Sequence, residues 1–96
     1  MLSALAIMNY ANQILRNFLK SNRLRAGLTI EQVADNFRVD SALVDYWEQV
    51  PIRAPLYQIA KLVELYNAER FDFQLCMLEV QSSIRLTPGP TPLNPN

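Results

Sequence analysis

The chain has 96 residues, half of them apolar, and its nine basic and nine acidic residues cancel to no net charge. This length suits a single domain with one modest core. The zero net charge gives no basis for a generic electrostatic hold on nucleic acid or on an anionic membrane, so any basic surface must come from local segregation of charge. One cysteine and the absence of histidine exclude an internal disulfide and the usual zinc sites. We therefore expect no metal, no cofactor and a reducing cytoplasm.

The chain begins with an apolar segment, residues 1–8. This segment lacks a basic leader and a cleavage site, and it is too short to span a bilayer. We interpret it as an apolar N-terminal extension of a soluble, cytoplasmic protein that has no contact with a membrane. The polar run that begins at Asn9 directly follows Met8, which raises the hypothesis that translation starts at Met8.

Three short-linked helices are predicted in the first half of the chain. Asn9 is a plausible cap for a helix from Tyr10, in which apolar residues recur at helical spacing until Gly27 ends it. Thr29 and Gln32 form a capping box that starts a second helix, ending near residue 37. Asp40 can cap a third helix, and the proline at position 51 ends it because proline lacks an amide donor.

Two further helices and a tail are predicted in the second half. Pro55 suits the first turn of a fourth helix. Its buried stripe is Ile59, Leu62, Val63 and Tyr66. Asp72 is a possible cap for a fifth helix that reaches about Ser82, and residues 71–86 form this C-terminal segment. The tail, residues 87–96, is rich in proline and is predicted to be a disordered, stiff extension.

The segment from Lys20 to Glu48 carries a family pattern, with two-residue spacings between helices. The matching positions are Arg23, Gly27, Leu28, Thr29, Ala34, Val39, Trp47 and Glu48. In these positions the chain resembles the Cro and repressor family of lambdoid phages. With the fourth helix the resemblance covers residues 13–71, about three fifths of the chain. It implies an all-α, compact five-helix, lambda-repressor-like helix-turn-helix domain over residues 9–70, followed by the C-terminal helix and the disordered tail.

The resemblance also implies how this domain is held together. Ala34 is small where the second and third helices cross, because a larger side chain would push the third helix out of position. The core around it closes with Val33, Phe37, Val39, Val44 and Trp47. Arg23 and Glu48 occupy positions that form a largely buried ion pair in similar repressors, and we interpret this pair as structural.

The resemblance implies a sequence-specific regulator of transcription that binds double-stranded DNA. The third helix would lie in the major groove. The residues implied for base readout are Ser41, Ala42, Asp45 and Tyr46, and those expected to contact phosphates are Arg38, Arg53, Lys20 and Arg25. Three positions depart from the pattern. Ile30 replaces a glutamine that contacts phosphate, Arg38 stands where the family prefers glycine, and Asp45 brings a negative charge toward DNA.

A protein-binding helix-turn-helix domain is the alternative, because Ile30, Leu43 and Tyr46 can form an apolar patch near the third helix. An enzyme is not expected, since the chain has no histidine for acid-base chemistry and no glycine-rich phosphate loop. The lone cysteine, Cys76, lies in an apolar run and is interpreted as a buried side chain.

A homodimer is expected from the family's two-fold operators and from the C-terminal helix. That helix has two apolar stripes, and one small core cannot easily bury both. The stripe expected to pack inward is Phe71, Leu75 and Leu78; the stripe expected to form the dimer interface is Phe73, Met77, Val80 and Ile84. Two alternatives stay open: the second stripe packs on residues 1–7 of the same chain, or Phe71, Phe73 and Leu75 belong to a strand.

Overall fold

The structure, a computed structural model, describes residues 3–85, and the secondary structure within this range is helical, without strands. The helices are α1 (Ala4–Arg25), α2 (Ile30–Phe37), α3 (Ser41–Gln49), α4 (Leu56–Leu65) and α5 (Arg70–Arg85), with one short 3-10 turn at Pro51–Arg53. The prediction of an all-helical chain is confirmed for these residues. The predicted disordered tail, 87–96, lies outside the described residues.

Helix α1 is longer than predicted. Its cap is Ser3, whose hydroxyl accepts a hydrogen bond from the amide of Ala6 at 3.1 Å, and no residue from Ala4 to Arg25 breaks the helix. The prediction that Asn9 caps this helix and that residues 1–8 form a separate extension is therefore wrong. Gly27 ends the helical segment as predicted, with a φ of 75° that glycine adopts at little cost.

Helices α2 and α3 follow each other closely. The predicted capping box is present: Thr29 Oγ1 accepts from the Gln32 amide at 3.1 Å, and Gln32 Oε1 accepts from the Thr29 amide at 2.9 Å. Asp40 occupies the cap position of α3, but its side chain makes no capping hydrogen bond. Arg38 turns the chain between the two helices with φ 58° and ψ 48°, the left-handed conformation that favours glycine.

Arg38→Gly is expected to raise the free energy of unfolding by about 0.5 to 1 kcal/mol. A residue with a side chain pays about 1 to 2 kcal/mol to adopt the left-handed conformation, and glycine avoids this cost. Part of the gain is lost, because glycine has more conformational freedom in the unfolded chain. Urea unfolding of the two proteins measures the difference. Asn67→Gly is the matched control, because Asn67 also has a positive φ of 54° but asparagine tolerates it. An equal gain in both variants would contradict the explanation.

The core is formed by buried residues of all five α-helices. Val33, Ala34, Val44 and Trp47 are buried as predicted, and the predicted core residues Phe37 and Val39 pack against them half-buried. All four residues of the predicted α4 stripe are buried too. α3 therefore has one face that anchors it to the rest of the protein and one that stays outside.

Helix α5 differs most from the prediction. It begins at Arg70, so Asp72 lies in its first turn and does not cap it, and it extends past Ser82 to Arg85. It packs along α1 in the opposite direction, with the Phe18 and Phe73 rings 5.8 Å apart near its start. The strand alternative for this segment is wrong.

The inward face of α5 is the stripe that we expected to form the dimer interface. Val80 is buried, Phe73 and Met77 pack against the core, and Ile84 is just over one third exposed. The stripe expected to pack inward is exposed instead: Phe71, Leu75 and Leu78. The assignment of the interface to the stripe of Phe73, Met77, Val80 and Ile84 is wrong, because α1 covers most of it: Phe73 packs beside the Phe18 ring, and Val80 lies in the same buried core as Ala11.

Candidate nucleic-acid interface

A buried three-residue cluster fixes α3 from the inside. Arg23 Nε lies 3.0 Å from both carboxylate oxygens of Glu48, and Arg23 Nη1 donates to the Leu28 carbonyl at 3.0 Å. The predicted ion pair is therefore present, with Arg23 only 8% and Glu48 3% exposed. The hydroxyl of Tyr66 donates to the same carboxylate. One carboxylate on α3 thus holds α1 and the residue that ends α4.

Tyr66 was predicted only as part of the apolar stripe, so its polar role was missed. Burial, and next the hydrogen bond to Glu48, hold the pKa of the Tyr66 hydroxyl well above its usual range. Both causes favour the protonated hydroxyl, which is the form that donates to Glu48. The sequence could have indicated this polar role, because a buried tyrosine usually has a hydrogen-bond partner for its hydroxyl.

A second contact fixes the end of α3. Asn12 Nδ2 donates to the carbonyl of Gln49 at 3.0 Å, and Asn12 Oδ1 accepts from the amide of Ile52 at 3.2 Å. The side chain of Asn12 on α1 thereby provides hydrogen-bond partners for the backbone at the end of α3 and in the 3-10 turn. No local pattern signals this role, because the partners are 37 and 40 positions away.

The outer face of α3 contains the residues predicted for base readout. Ala42, Asp45 and Tyr46 are exposed, Tyr46 with 45% of its surface, and Ser41 is half-buried at the first position of the helix. Because α3 is held on its inner face and at its end, these side chains are presented on a rigid helix. Such rigidity is what a surface needs to read base edges, since the ordering cost is met before binding.

Three of the four predicted phosphate contacts border this face. Lys20 lines a recess beside α3 together with Asp45, and Arg53 lines another beside Tyr46. Arg38 is exposed in the turn that precedes α3. These cations therefore flank α3 along its side and at both of its ends.

Arg25 does not belong to this set. A helix turns about 100° per residue, so Arg25 and Lys20, five positions apart, point to different sides of α1. Arg25 donates to Asn22 Oδ1 and lines a recess between α1 and α5 with Asp72. This position corrects the prediction that Arg25 contacts phosphates beside α3.

Arg16 was missed as a site residue. It is half-buried and lines the same recess as Lys20 and Asp45. The spacing of four between Arg16 and Lys20 places both on one side of α1, and that signal was present in the sequence. Two cations beside Asp45 offset the negative charge that counted against DNA binding in the sequence pattern.

An apolar groove adjoins the same surface. Residues of the first turns of α1, the end of α3 and the 3-10 turn enclose a space of about 430 Å³. Leu5 and Met8, 71% and 39% exposed, form one wall of it, and Tyr46 and Ile52 form the other. Of the patch predicted from Ile30, Leu43 and Tyr46, the last two are exposed, and Ile30 is half-buried against the core. The groove is a further apolar surface beside α3.

Neither a cluster of potential metal ligands nor an exposed thiol occurs among the described residues. Within residues 3–85 no three potential metal ligands come together. Cys76 is buried, and burial, with a smaller contribution from Glu79, raises the pKa of its thiol to about 11. A thiol with such a pKa is a poor nucleophile at neutral pH. None of the described helices is both long and apolar enough to cross a membrane.

Comparisons with protein-family models, curated proteins and solved structures find no match to this chain. What the protein does is therefore inferred from α3 and its surroundings.

Proposed function

We propose that the protein binds double-stranded DNA sequence-specifically and regulates transcription, with α2, the turn and α3 acting as a helix-turn-helix of the phage-repressor type. The observation that carries this proposal is the outer face of α3, which is exposed, rigidly held and flanked by cations. A helix presented in this way fits the major groove, where side chains reach base edges.

The exposed side chains have separate roles in this proposal. Tyr46 and Ala42 contact bases, and Ala42 is small enough to pack on a thymine methyl group. Asp45 accepts from a cytosine amino group. Arg53, Arg38 and Lys20 contact phosphates, which fixes the register of the domain on the duplex without reading sequence. We infer a role in binding, without a cofactor or a chemical step.

Binding should depend on few phosphate contacts. Residues 29–53 contain five acids and two arginines, a charge of −3 (2 − 5), so cations of α1 must contribute to the electrostatic attraction. Each phosphate contact adds about 0.9 to the slope of log K against log salt concentration. We therefore expect a shallow slope, of about three units.

The test is selection of binding sites from random DNA, followed by affinity measurements at several salt concentrations. Tyr46→Ala is expected to alter the preferred sequence, because it removes a base contact. Arg53→Ala is expected to weaken binding to all sequences and to lower the slope by about one unit. Lys61→Ala is the matched control, since Lys61 lies over the Tyr57 ring on α4, and it should leave the slope unchanged.

A protein partner is the second candidate function, and the apolar groove favours it. Its wall residue Leu5 is almost three quarters exposed, which a DNA surface does not require. The residues that line the groove include Arg53 and no acid, so it fits a partner segment with apolar and acidic residues. If random DNA yields no enriched sequence and no binding at low salt, the DNA proposal is wrong. Loss of partner binding in Leu5→Glu, with DNA binding absent, would then support this candidate.

A further inference from the structure

The apolar groove beside α3 lies close to the end of α5. The rings of Phe18 and Phe73 are 5.8 Å apart, which sets the register between α1 and α5. The two helices run in opposite directions with the same rise, so the roughly three turns from Phe73 to Arg85 lead back along α1 to its first turns. The end of α5 is therefore level with Leu5 and Met8, which form one wall of the groove.

The chain beyond α5 is long enough to reach into this groove. After Arg85 and one further residue comes the proline-rich tail, residues 87–96. A helix turns about 100° per residue, so Leu5 in the groove and Phe18 beside α5 face directions about 140° apart, which is a path of about 15 Å around α1. An extended segment of polyproline II type covers about 3.1 Å per residue, or about 22 Å from Arg85 to Pro92. The second half of the tail can therefore lie in the groove.

The tail and the groove are complementary in polarity. Residues 87–96 carry no charged side chain, and four of them are prolines: Pro88, Pro90, Pro92 and Pro95. Proline has no amide donor, so a proline-rich segment offers apolar rings and carbonyl acceptors. The groove offers apolar walls and, from Asn9, Tyr46 and Arg53, exposed side chains that can donate. The groove therefore has the donors that the tail lacks.

We propose that the tail of this chain occupies the groove, with Pro92 and Pro95 across the ring of Tyr46. In a polyproline II helix, which has three residues per turn, these two prolines lie on one face and can both pack against the groove. Of the two residues between them, the apolar Leu93 faces the wall of the groove and Asn94 faces solvent. Grooves with an aromatic lining bind such segments because the extended conformation is formed before binding and little entropy is lost.

The covalent link favours the tail over any other occupant of this chemistry. A segment held close to its site by a short linker has an effective concentration in the millimolar range, so even a weak contact is populated. The groove is small, about 430 Å³, and gives a free neutral segment little apolar area to bury. An outside partner with acidic residues near Arg53 must displace the tail before it binds.

Occupation of the groove bears on the proposed function, and this step rests on that function. Tyr46 and Arg53 line the groove and are also the residues that we propose to contact a base and a phosphate. The tail and DNA therefore compete for the same side chains. A protein whose site is free in only a fraction of its molecules binds with an affinity reduced by that fraction. The tail is thus expected to lower the affinity for DNA.

Disulfide trapping in the full chain tests the docking without DNA. Met8→Cys combined with Leu93→Cys should form an intramolecular disulfide on mild oxidation, because the docked tail brings the two side chains together. The matched control is Tyr10→Cys combined with Leu93→Cys. Tyr10 is exposed at the same level of α1 but outside the groove, so a free tail would encounter it about as often. The first pair should oxidise at least about ten times faster, and Cys76 is buried in both proteins.

A second measurement tests the competition with DNA. Leu93→Ser removes the apolar contact and should raise the affinity for the selected DNA sequence about tenfold, the value for a tail that covers the groove in about nine tenths of the molecules. Thr87→Ala is the matched control, because it lies in the part of the tail that only spans the distance to the groove. It should leave the affinity unchanged.

The outcomes separate the docking from the proposed function. Equal oxidation rates of the two cysteine pairs overturn the docking of the tail, whether or not DNA binds. Faster trapping of the Met8→Cys pair in a protein without affinity for DNA supports the docking and contradicts the proposed function. Faster trapping with an unchanged affinity in Leu93→Ser shows that the docked tail leaves Tyr46 accessible to DNA, and it overturns the competition.

Discussion

Replacing Glu48 with alanine is expected to lower the free energy of unfolding by about 3 to 5 kcal/mol, the usual cost of breaking a buried ion pair from one side. The carboxylate of Glu48 binds both Arg23 and Tyr66 in a nearly inaccessible position. Its removal leaves a buried guanidinium without a counter-charge and a buried hydroxyl without an acceptor. Urea unfolding, followed by the fluorescence of Trp47, measures the loss.

Further variants separate the ion pair from the tyrosine. Tyr66→Phe is expected to cost about 1.5 to 3 kcal/mol, since it removes one hydrogen bond to a charged group. The combined change Arg23→Met, Glu48→Leu and Tyr66→Phe should restore most of the stability, because it removes both buried charges and the tyrosine hydroxyl together and leaves only the partly buried Leu28 carbonyl without its side-chain donor. Glu64→Ala on α4 is exposed and should change stability by less than about 0.5 kcal/mol. A loss of that small size in Glu48→Ala would show that the cluster is not structural.

The elements that the sequence predicted well are those decided by near neighbours. Thr29 and Gln32 cap α2 through contacts three residues apart, and Gly27 ends α1 because its own φ is positive. The prediction of where α1 starts was wrong for a similar local reason. Asn9 and Ser3 are both acceptable caps, and the apolar residues between them are good helix formers, so the helix continues to the earlier one.

The orientation of α5 could not be predicted from its own residues. Its two apolar stripes are similar in size, and which one turns inward depends on the surface offered by α1, more than 50 positions earlier in the chain. Phe73 packs beside the Phe18 ring, and Val80 belongs to the same buried core as Ala11 and Leu15. These partners lie in the part of α1 that was predicted correctly, so the error about the face of α5 is independent of the error about the start of α1.

The candidate site was predictable in part. Residues on the outer side of α3 follow from helical periodicity once Val44 and Trp47 are placed in the core. The cations were harder to predict, because a list of basic residues near the motif does not separate Lys20, which lies beside α3, from Arg25, which lies toward α5. The role of Asn12 depends wholly on the packing of distant segments and leaves no trace in the sequence pattern.

Replacing Ala34 with leucine is expected to lower the free energy of unfolding by about 1 to 3 kcal/mol and to impair DNA recognition more than stability alone explains. Ala34 lies on α2 where that helix packs against α3, and only 3% of it is exposed. A leucine there forces the two helices apart, because the core has no space for three further carbon atoms. Urea unfolding measures the first effect.

The second effect follows from the position of α3. If α3 reads bases as proposed, a displaced α3 loses base contacts, each worth about 1 to 3 kcal/mol of discrimination. The cations proposed to contact phosphates lie outside α3 and are kept. In a protein still folded at the assay temperature, Ala34→Leu should therefore reduce binding to the selected sequence far more than binding to bulk DNA. Ala60→Leu, the same change at an exposed position of α4, should alter neither affinity nor preference. Equal losses on both kinds of DNA would show that the spacing of α2 and α3 does not set sequence preference, and α3 would then lose its proposed role in reading bases.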